Sequence, residues 1–414
     1  TSILSIQFQK HYSIITLKSL LPVYHSRTNQ TTLSLIRYRY RYRYRHRYRH
    51  RAHQILFYGK ITTSQQKRRR NTRMTNADSL SRRSFLQNSL YGIAAGTFLM
   101  HTARAQTPAT RITLTYGDSR AKNVYDALKL IESQIREGLA KKRTIVIKPN
   151  LVNIDNQLTA THVDCLEGIL EFLKPLVQDE IIITESPANG PAAEGYSNYG
   201  YLRLKDKFNI RFVDLDAEPF GTEYLVNERH HVIPVRFSKL ILDPNIYLIS
   251  TAPMKTHDRA VVTLGLKNIA AGAIIKDSGY RWGPNSKGTT DKHLIHGGPK
   301  NEGIHFNMFS LAKRVTPQLT VLDGFQSMEH NGPVSGTPVD HKIALAGTDW
   351  LAVDRMAAEL MGFDYNKIGY MVFCAKAGMG EVDKSKIEIL GARFDDHIRH
   401  YQPHDAIEQQ YKWM

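Results

Sequence analysis

The sequence predicts an α/β protein: a mostly parallel sheet with helices on both faces, plus a β-hairpin and a long loop rich in Gly, His and Lys. Three observations carry this. Short continuous apolar runs, such as Thr144–Lys148 (TIVIK) and Glu180–Thr184 (EIIIT), have the composition of strands buried on both faces. Between them lie segments with apolar residues at helical spacing, such as Val163, Leu166, Leu170, Leu173 and Val177. The alternation runs on from Gln106 with no internal repeat and no linker-like change of composition, so residues 106–414 read as a single domain.

Each element follows from its pattern. Ile112–Tyr116 alternates as a strand, and Val124, Leu128, Ile131, Ile135 and Leu139 mark a helix. After the two apolar runs and the helix between them come a helix near Tyr196–Phe208 and the strand Ile210–Asp214. Glu223–Phe237 alternates in the manner of an antiparallel hairpin, and Ile246–Ser250 returns to the central sheet. A helix around Met308–Val315 leads into the strand Leu319–Leu322. Ile343–Ala346, a helix from Trp350 to Met361 and another near Lys367–Ala377 complete the fold. Ala271–Gly303 holds seven glycines and lacks periodicity. A loop of that length reads as a lid or binding loop, or as a disordered segment.

The formal net charge of +18 invites a nucleic-acid reading, which its distribution removes. Residues 1–73 hold 17 Lys or Arg and no Asp or Glu, and the body from Gln106 onward is close to neutral. That body has no basic footprint for DNA, RNA or an acidic membrane. From Arg37 to Arg51 every second residue is Arg, separated only by Tyr or His. Such a run reads as a translated short DNA repeat lying upstream of the protein, with a disordered basic arm as the competing reading.

Met74 opens a second N-terminus. Ser81-Arg82-Arg83-Ser84-Phe85-Leu86-Gln87 has the twin-arginine export pattern. The apolar stretch Leu90–Met100 follows, and Ala103-Arg104-Ala105 supplies small residues for cleavage before Gln106. The apolar stretch is too short to span a bilayer, which takes about 20 residues. Residues 74–105 are therefore expected to be a signal peptide. Its partners would be the twin-arginine translocase and signal peptidase, and the mature form would be periplasmic or extracellular with no membrane anchor. With Cys165 and Cys374 the only cysteines, no four-cysteine iron–sulfur cluster is expected. Both lie in apolar helical patterns and read as buried thiols.

What ends each strand is informative. Lys148-Pro149-Asn150, Thr184-Glu185-Ser186-Pro187, Pro253-Met254-Lys255-Thr256-His257 and Asp323-Gly324 each follow an apolar run. In a parallel sheet all four fall on the carboxyl edge, where open α/β sheets hold their ligands. Two of them carry lysine, which points to an anion. Surface ion pairs and strand-ending turns are the competing account.

Lys148-Pro149-Asn150, Lys255-Thr256-His257, Thr263-Leu264-Gly265-Leu266-Lys267-Asn268 and Asp323-Gly324 resemble the landmarks of the domain-of-unknown-function 362 family. So do Glu329…Asn331-Gly332-Pro333…Gly336 and Asp349…Asp354…Met361-Gly362. The landmarks occur in the family's order from about Ile112 to Gly391. The resemblance implies the fold and the position of the site, and not a reaction. It also implies two variants, one fused to ferredoxin-like iron–sulfur modules and one exported by the twin-arginine route. This chain has the mark of the second. Trp350 stands where the family usually has proline, but Asp349 can still cap the helix that follows.

The residues expected to do chemistry are Lys148, Glu185, Lys255, His257 and Asp323. Lysine suits phosphate or carboxylate, and it serves as a base when buried. Imidazole and carboxylates move protons. Asn150, Ser186, Lys267, Asn268, Glu329 and Gly332 are the candidate ligand contacts, with a helix-end charge and hairpin turns as the bland readings of Lys267 and Gly332. Glu185, His257 and Asp323 could form a mixed N/O set for a divalent metal, though no short ligand spacing supports it. His293 and His296 could clip a metal only with outside help. Asp354, inside an apolar helix, needs a partner such as an amide or lysine. Three functions remain open: an enzyme acting on a small anionic substrate, an anion-binding carrier without turnover, and a scaffold.

Overall fold

The computed structural model describes residues 110–283, 286–298 and 301–413. The segments 1–73 and 74–105, with their proposed repeat and signal peptide, lie outside the described residues. All described elements belong to the unit Ala103–Met414.

The strands are β1 (Thr110–Tyr116), β2 (Thr144–Lys148), β3 (Ile181–Glu185), β4 (Ile210–Asp214), β5 (Phe220–Val226), β6 (Val232–Ser238), β7 (Ile246–His257), β8 (Val261–Thr263), β9 (Leu319–Glu329), β10 (Thr337–Gly347) and β11 (Ile387–Gly391). The main sheet runs β11-β1-β10-β9-β7-β2-β3-β4, with β8 hydrogen-bonded to β7. β9, β7, β2, β3 and β4 are parallel. β10 is antiparallel to both of its neighbours, and β11 pairs parallel with β1. The expected mostly parallel α/β sheet is therefore present.

Successive side chains of a strand face opposite sides of the sheet, and two cores result. Ile147, Ile249 and Val321 pack with the helices Arg120–Leu130 and Val163–Leu173. Val146, Leu248 and Leu322 pack with the helices Gly265–Gly272, Glu302–Ala312 and Trp350–Leu360. Helices thus cover both faces, and Cys165 and Cys374 are buried free thiols.

Several elements depart from their expected bounds. The helix expected over Val124–Leu139 is two, Arg120–Leu130 and Glu132–Leu139, meeting at Ile131. The expected hairpin forms as β5 and β6, apart from the main sheet. β7 continues seven residues past Ser250, carried by pairing with β8 and β9. The loop after Gly272 is folded within its described residues. Ile274, Ile275 and Ile295 are buried, Ile274 bridges to Phe237, and Lys276 bridges to Thr290. Arg236 on β6 ties the loop down through Asp277 at 2.6 Å and Asp291 at 3.0 Å. Among the described residues no helix is long and apolar enough to cross a membrane.

Candidate functional site

Parallel pairing aligns the ends of β2, β3 and β4 beside the middle of β7, with Lys148 opposite Ser250 and Glu185 opposite Asp214. Lys148 Nζ donates to Glu185 Oε1 at 2.6 Å, to Asn268 Oδ1 at 3.1 Å and to the Pro149 carbonyl at 3.2 Å. An ammonium has three donors, so Lys148 is fully engaged. Burial lowers its pKa, opposed by Glu185. Glu185 also accepts from the amides of Leu151, at 3.1 Å, and Ser186. Asn268 ties this pair to the helix Gly265–Gly272: its Nδ2 donates to the Lys148 carbonyl at 2.9 Å and to Ser250 Oγ at 3.1 Å.

Lys255, on the extended part of β7, donates to Asn150 Oδ1 and to the Thr159 carbonyl, each at 2.6 Å. Asn150 Nδ2 in turn reaches Asn268 Oδ1 at 3.3 Å. Lys148, Asn150, Glu185, Lys255 and Asn268 therefore form one connected buried network, although their positions span more than a hundred residues. Burial, then the charge of Lys267, hold the Lys255 pKa far below the usual lysine range.

Lys267 itself is 7 % exposed and, among the described residues, forms no side-chain hydrogen bond or ion pair. Burial brings its pKa down to about 8, with Asp258 opposing. His257 lies beside it. The His257 ring stacks on that of His296, centroids 5.8 Å apart and planes 4° from parallel. The His257 Nδ1 accepts from the amides of Arg259 at 3.0 Å and Ala260 at 3.1 Å, which places the neutral ring's proton on Nε2. Asp258 Oδ1 is also 3.0 Å from Nδ1, a contact that calls for a protonated ring. Burial and Lys267 both oppose protonation, so the neutral form is the one we assign. In that form His257 is a hydrogen-bond donor at Nε2, not the base the sequence alone allowed.

Ser186 leads to three groups that sequence reasoning missed. Its hydroxyl donates to Asp216 Oδ1 at 2.6 Å, and Asp216 also pairs with the Lys276 ammonium, both side chains fully buried. Lys292 donates to the Gly272 carbonyl at 3.1 Å, and burial pulls its pKa down to about 7. Asp216 follows β4 by two residues, so the strand-end argument used for four other strands would have found it. Nothing in the loop sequence marks Lys276 or Lys292.

Asp323 is a correction. It stands next to β7 in register with Pro253, but it shares the face of Val321, two residues earlier. There it lies 3.2 Å from Arg120 Nε and accepts from the Phe325 amide at 3.1 Å. It does not join the lysine network. The metal set expected of Glu185, His257 and Asp323 is likewise not assembled: the first is held by Lys148 and two amides, the second by a backbone turn, and the third by Arg120 and the Phe325 amide. Among the described residues no cluster of three or more His, Cys, Asp or Glu has a metal-binding arrangement.

Glu329 and Gly332 close the far end of β7 instead of lining the network. Glu329 accepts from the Gln402 amide at 2.8 Å. Thr256 Oγ1 donates to the His330 carbonyl at 2.9 Å and accepts from the Gly332 amide at 3.3 Å. A side chain at Gly332 would overlap the Thr256 carbonyl. Gly332→Ala should therefore lower stability by about 1–3 kcal/mol, measured by urea unfolding, and an unchanged midpoint would show that the turn has room to move.

Asp354 has amide partners. Its two oxygens accept from Gly265 N at 2.8 Å and Leu266 N at 3.1 Å, and Tyr370 donates at 3.2 Å. It caps the helix carrying Lys267 and Asn268 from outside that helix, and burial raises its pKa to about 7. Asp349 caps its own helix through the amides of Leu351 and Ala352 at 3.0 and 3.1 Å, with Trp350 in proline's place.

Comparison with known proteins agrees with the landmarks. The chain is 25 % identical over 242 residues to a thylakoid-associated protein of Synechocystis sp., covering 57 % of this chain and 68 % of that one. Among solved structures, a Thermotoga maritima protein superposes at TM-score 0.33 and 15 % identity, over 53 % of this chain and 54 % of the other. The lactate racemase apoprotein of Thermoanaerobacterium thermosaccharolyticum superposes at TM-score 0.33 and 16 % identity, over 57 % of this chain and 54 % of that protein. The chain thus spans about half the length of the solved structures it matches. The family described as domain of unknown function (DUF362) matches residues 145–359, from β2 through the helix that carries Asp354, and the chain belongs to that family.

Proposed function

We propose that the chain is an enzyme acting on a small anionic substrate at the carboxyl edge of its sheet, with Lys255 and Lys267 holding the charge. One observation carries this reading. Among the described residues five carboxylates are buried, Glu185, Asp216, Glu223, Asp323 and Asp354. Lys148, Lys276, Arg314 and Arg120 take the first four, and backbone amides and Tyr370 take the last. Lys255 and Lys267 are buried with no carboxylate. Burying a charge without a partner is costly, and lysines with lowered pKa values gather at functional sites. An anion from solution is the missing partner, and Nε2–H of His257 is a further donor to it.

The test is thermal unfolding of the protein with inorganic phosphate, sulfate, lactate or oxalate. A fitting anion at a hundred times its Kd should add about 2.7 kcal/mol. Binding needs the protonated amine, so affinity should fall as pH rises through about 8. Lys267→Met should remove the anion response and yet raise the melting temperature without anion, because an uncompensated buried charge is gone. A structural lysine would do the opposite, and a Lys267→Met variant that melts lower and still responds to the anion would end this assignment. Binding without turnover of any anion that binds would favour a carrier.

We also propose export by the twin-arginine route to the periplasm or beyond, supported by the order Ser81–Gln87, Leu90–Met100, Ala103–Ala105. Replacing Arg82 and Arg83 together with Lys should leave the protein uncleaved in the cytoplasm, since Lys lacks the planar guanidinium. Unchanged export of that variant would point to a different route.

A further inference from the structure

Lys267 is the third residue of the helix Gly265–Gly272. A cation in a first helical turn faces the positive end of the helix dipole. This one is also buried, lacks any hydrogen bond or ion pair among the described residues, and feels no carboxylate except Asp258, itself half exposed. Its charge bears on Lys255, His257 and His296. Each usual reason for burying a lysine is missing. What such a place does suit is a neutral amine, a nucleophile activated by its desolvated setting.

Access is available as well. A cleft of about 680 Å³ opens where the loop meets the β5–β6 hairpin, lined in part by Arg229, His231, Asp258, Arg259, His293 and His296. Asp258 follows His257 in the chain, and His296 both lines the cleft and stacks on His257. The His296 carbonyl is held by Arg259 Nη1 at 3.1 Å. The cleft therefore reaches as far as His296, whose ring lies against that of His257.

We propose that Lys267 forms an imine with a small carboxylate bearing a ketone or aldehyde, a 2-oxo acid, which reaches it through this cleft. The proposal rests on the anion-site reading and names its substrate class. The Lys267 nitrogen lone pair forms the N–C bond as the carbonyl electron pair moves onto oxygen, and one N–H proton transfers to that oxygen. The carbinolamine then loses its hydroxyl with the second N–H proton as water, leaving C=N. No oxidant or reductant takes part. Lys255 gives two N–H groups to Asn150 and Thr159; a carboxylate bound beside it favours its protonated form, which has a third N–H for that carboxylate, and His257 Nε2–H supplies a donor to the carbonyl oxygen. A pKa near 8 leaves a neutral fraction of Lys267 at neutral pH.

The experiment treats the full chain with pyruvate or glyoxylate and cyanoborohydride, then reads intact mass and maps the modified peptide. A single reduced adduct on Lys267 is expected, formed at least an order of magnitude faster than on any surface lysine. Its rate should rise with pH through about 8, the reverse of the trend expected for anion binding. Lactate, which has the carboxylate but no carbonyl, should slow it. Lys267→Arg should lose the adduct while still answering lactate by thermal shift; should that variant not fold, protection of the unaltered protein by lactate carries the same test. If lactate or another anion shifts the melting temperature and no adduct forms at Lys267, the nucleophile is overturned and the anion site stands. If neither signal appears, both readings fall.

Discussion

Glu185→Ala is expected to destabilise the protein by about 3–5 kcal/mol, the usual cost of leaving one half of a buried ion pair alone. Lys148 would keep its hydrogen bonds to Asn268 and the Pro149 carbonyl but lose the main charge that offsets its burial, with Asp216 a weaker second. The amides of Leu151 and Ser186 would lose their acceptor as well. Combining Glu185→Gln with Lys148→Met should recover much of the loss, because a glutamine carbonyl still accepts from an amide and the buried charge is gone. The measurement is the urea midpoint with an unchanged slope. A Glu185→Ala variant within about 1 kcal/mol of the parent would mean that water reaches Lys148 and that the pair behaves as a surface contact.

Asp354→Ala should cost about 3 kcal/mol or more, since three buried donors, each worth about 1–3 kcal/mol, lose their acceptor. It should also weaken anion binding, because the helix it caps carries Lys267 and Asn268. Asp354→Asn separates charge from shape. The folded pKa of about 7 lies above the unfolded value of about 3.9. Over that interval the unfolded chain gives up its proton first and holds fewer protons than the folded one. The stabilising effect of the protonated carboxyl is complete below the unfolded value and is lost as pH rises through about 7. Asparagine cannot titrate, so the variant's melting temperature should fall less between pH 4 and pH 7 than that of the parent. Equal slopes would show that Asp354 is ionised throughout that range.

The parallel strands were legible because burial on both faces leaves a short, continuous apolar signature, as in TIVIK and EIIIT. The polar half of β7 was not. Thr251–His257 reads as a loop, and it is a strand only because β8 and β9 supply partners for its backbone. The same holds for Gln326–Glu329 and Thr337–Asp340, which pair with each other. The loop after Gly272 has no period, yet Ile274, Ile275 and Ile295 are buried. It packs by single residues against a hairpin distant in sequence, and no local pattern records that.

From sequence alone came the α/β class and the polar groups, lysines and amides among them, that gather at the carboxyl ends of the strands, since these follow from strand periodicity and from what must lie at a strand's end. Partnership was decided by tertiary structure. Glu185 and Asp323 carry the same local signal, a carboxylate where an apolar run stops, but one meets Lys148 and the other meets Arg120. Lys148, Lys255 and Lys267 are chemically identical, and only the first receives a carboxylate. Charge pairing acts over a few ångströms between side chains brought together from distant parts of the chain, and no local pattern records which cation lies within that reach.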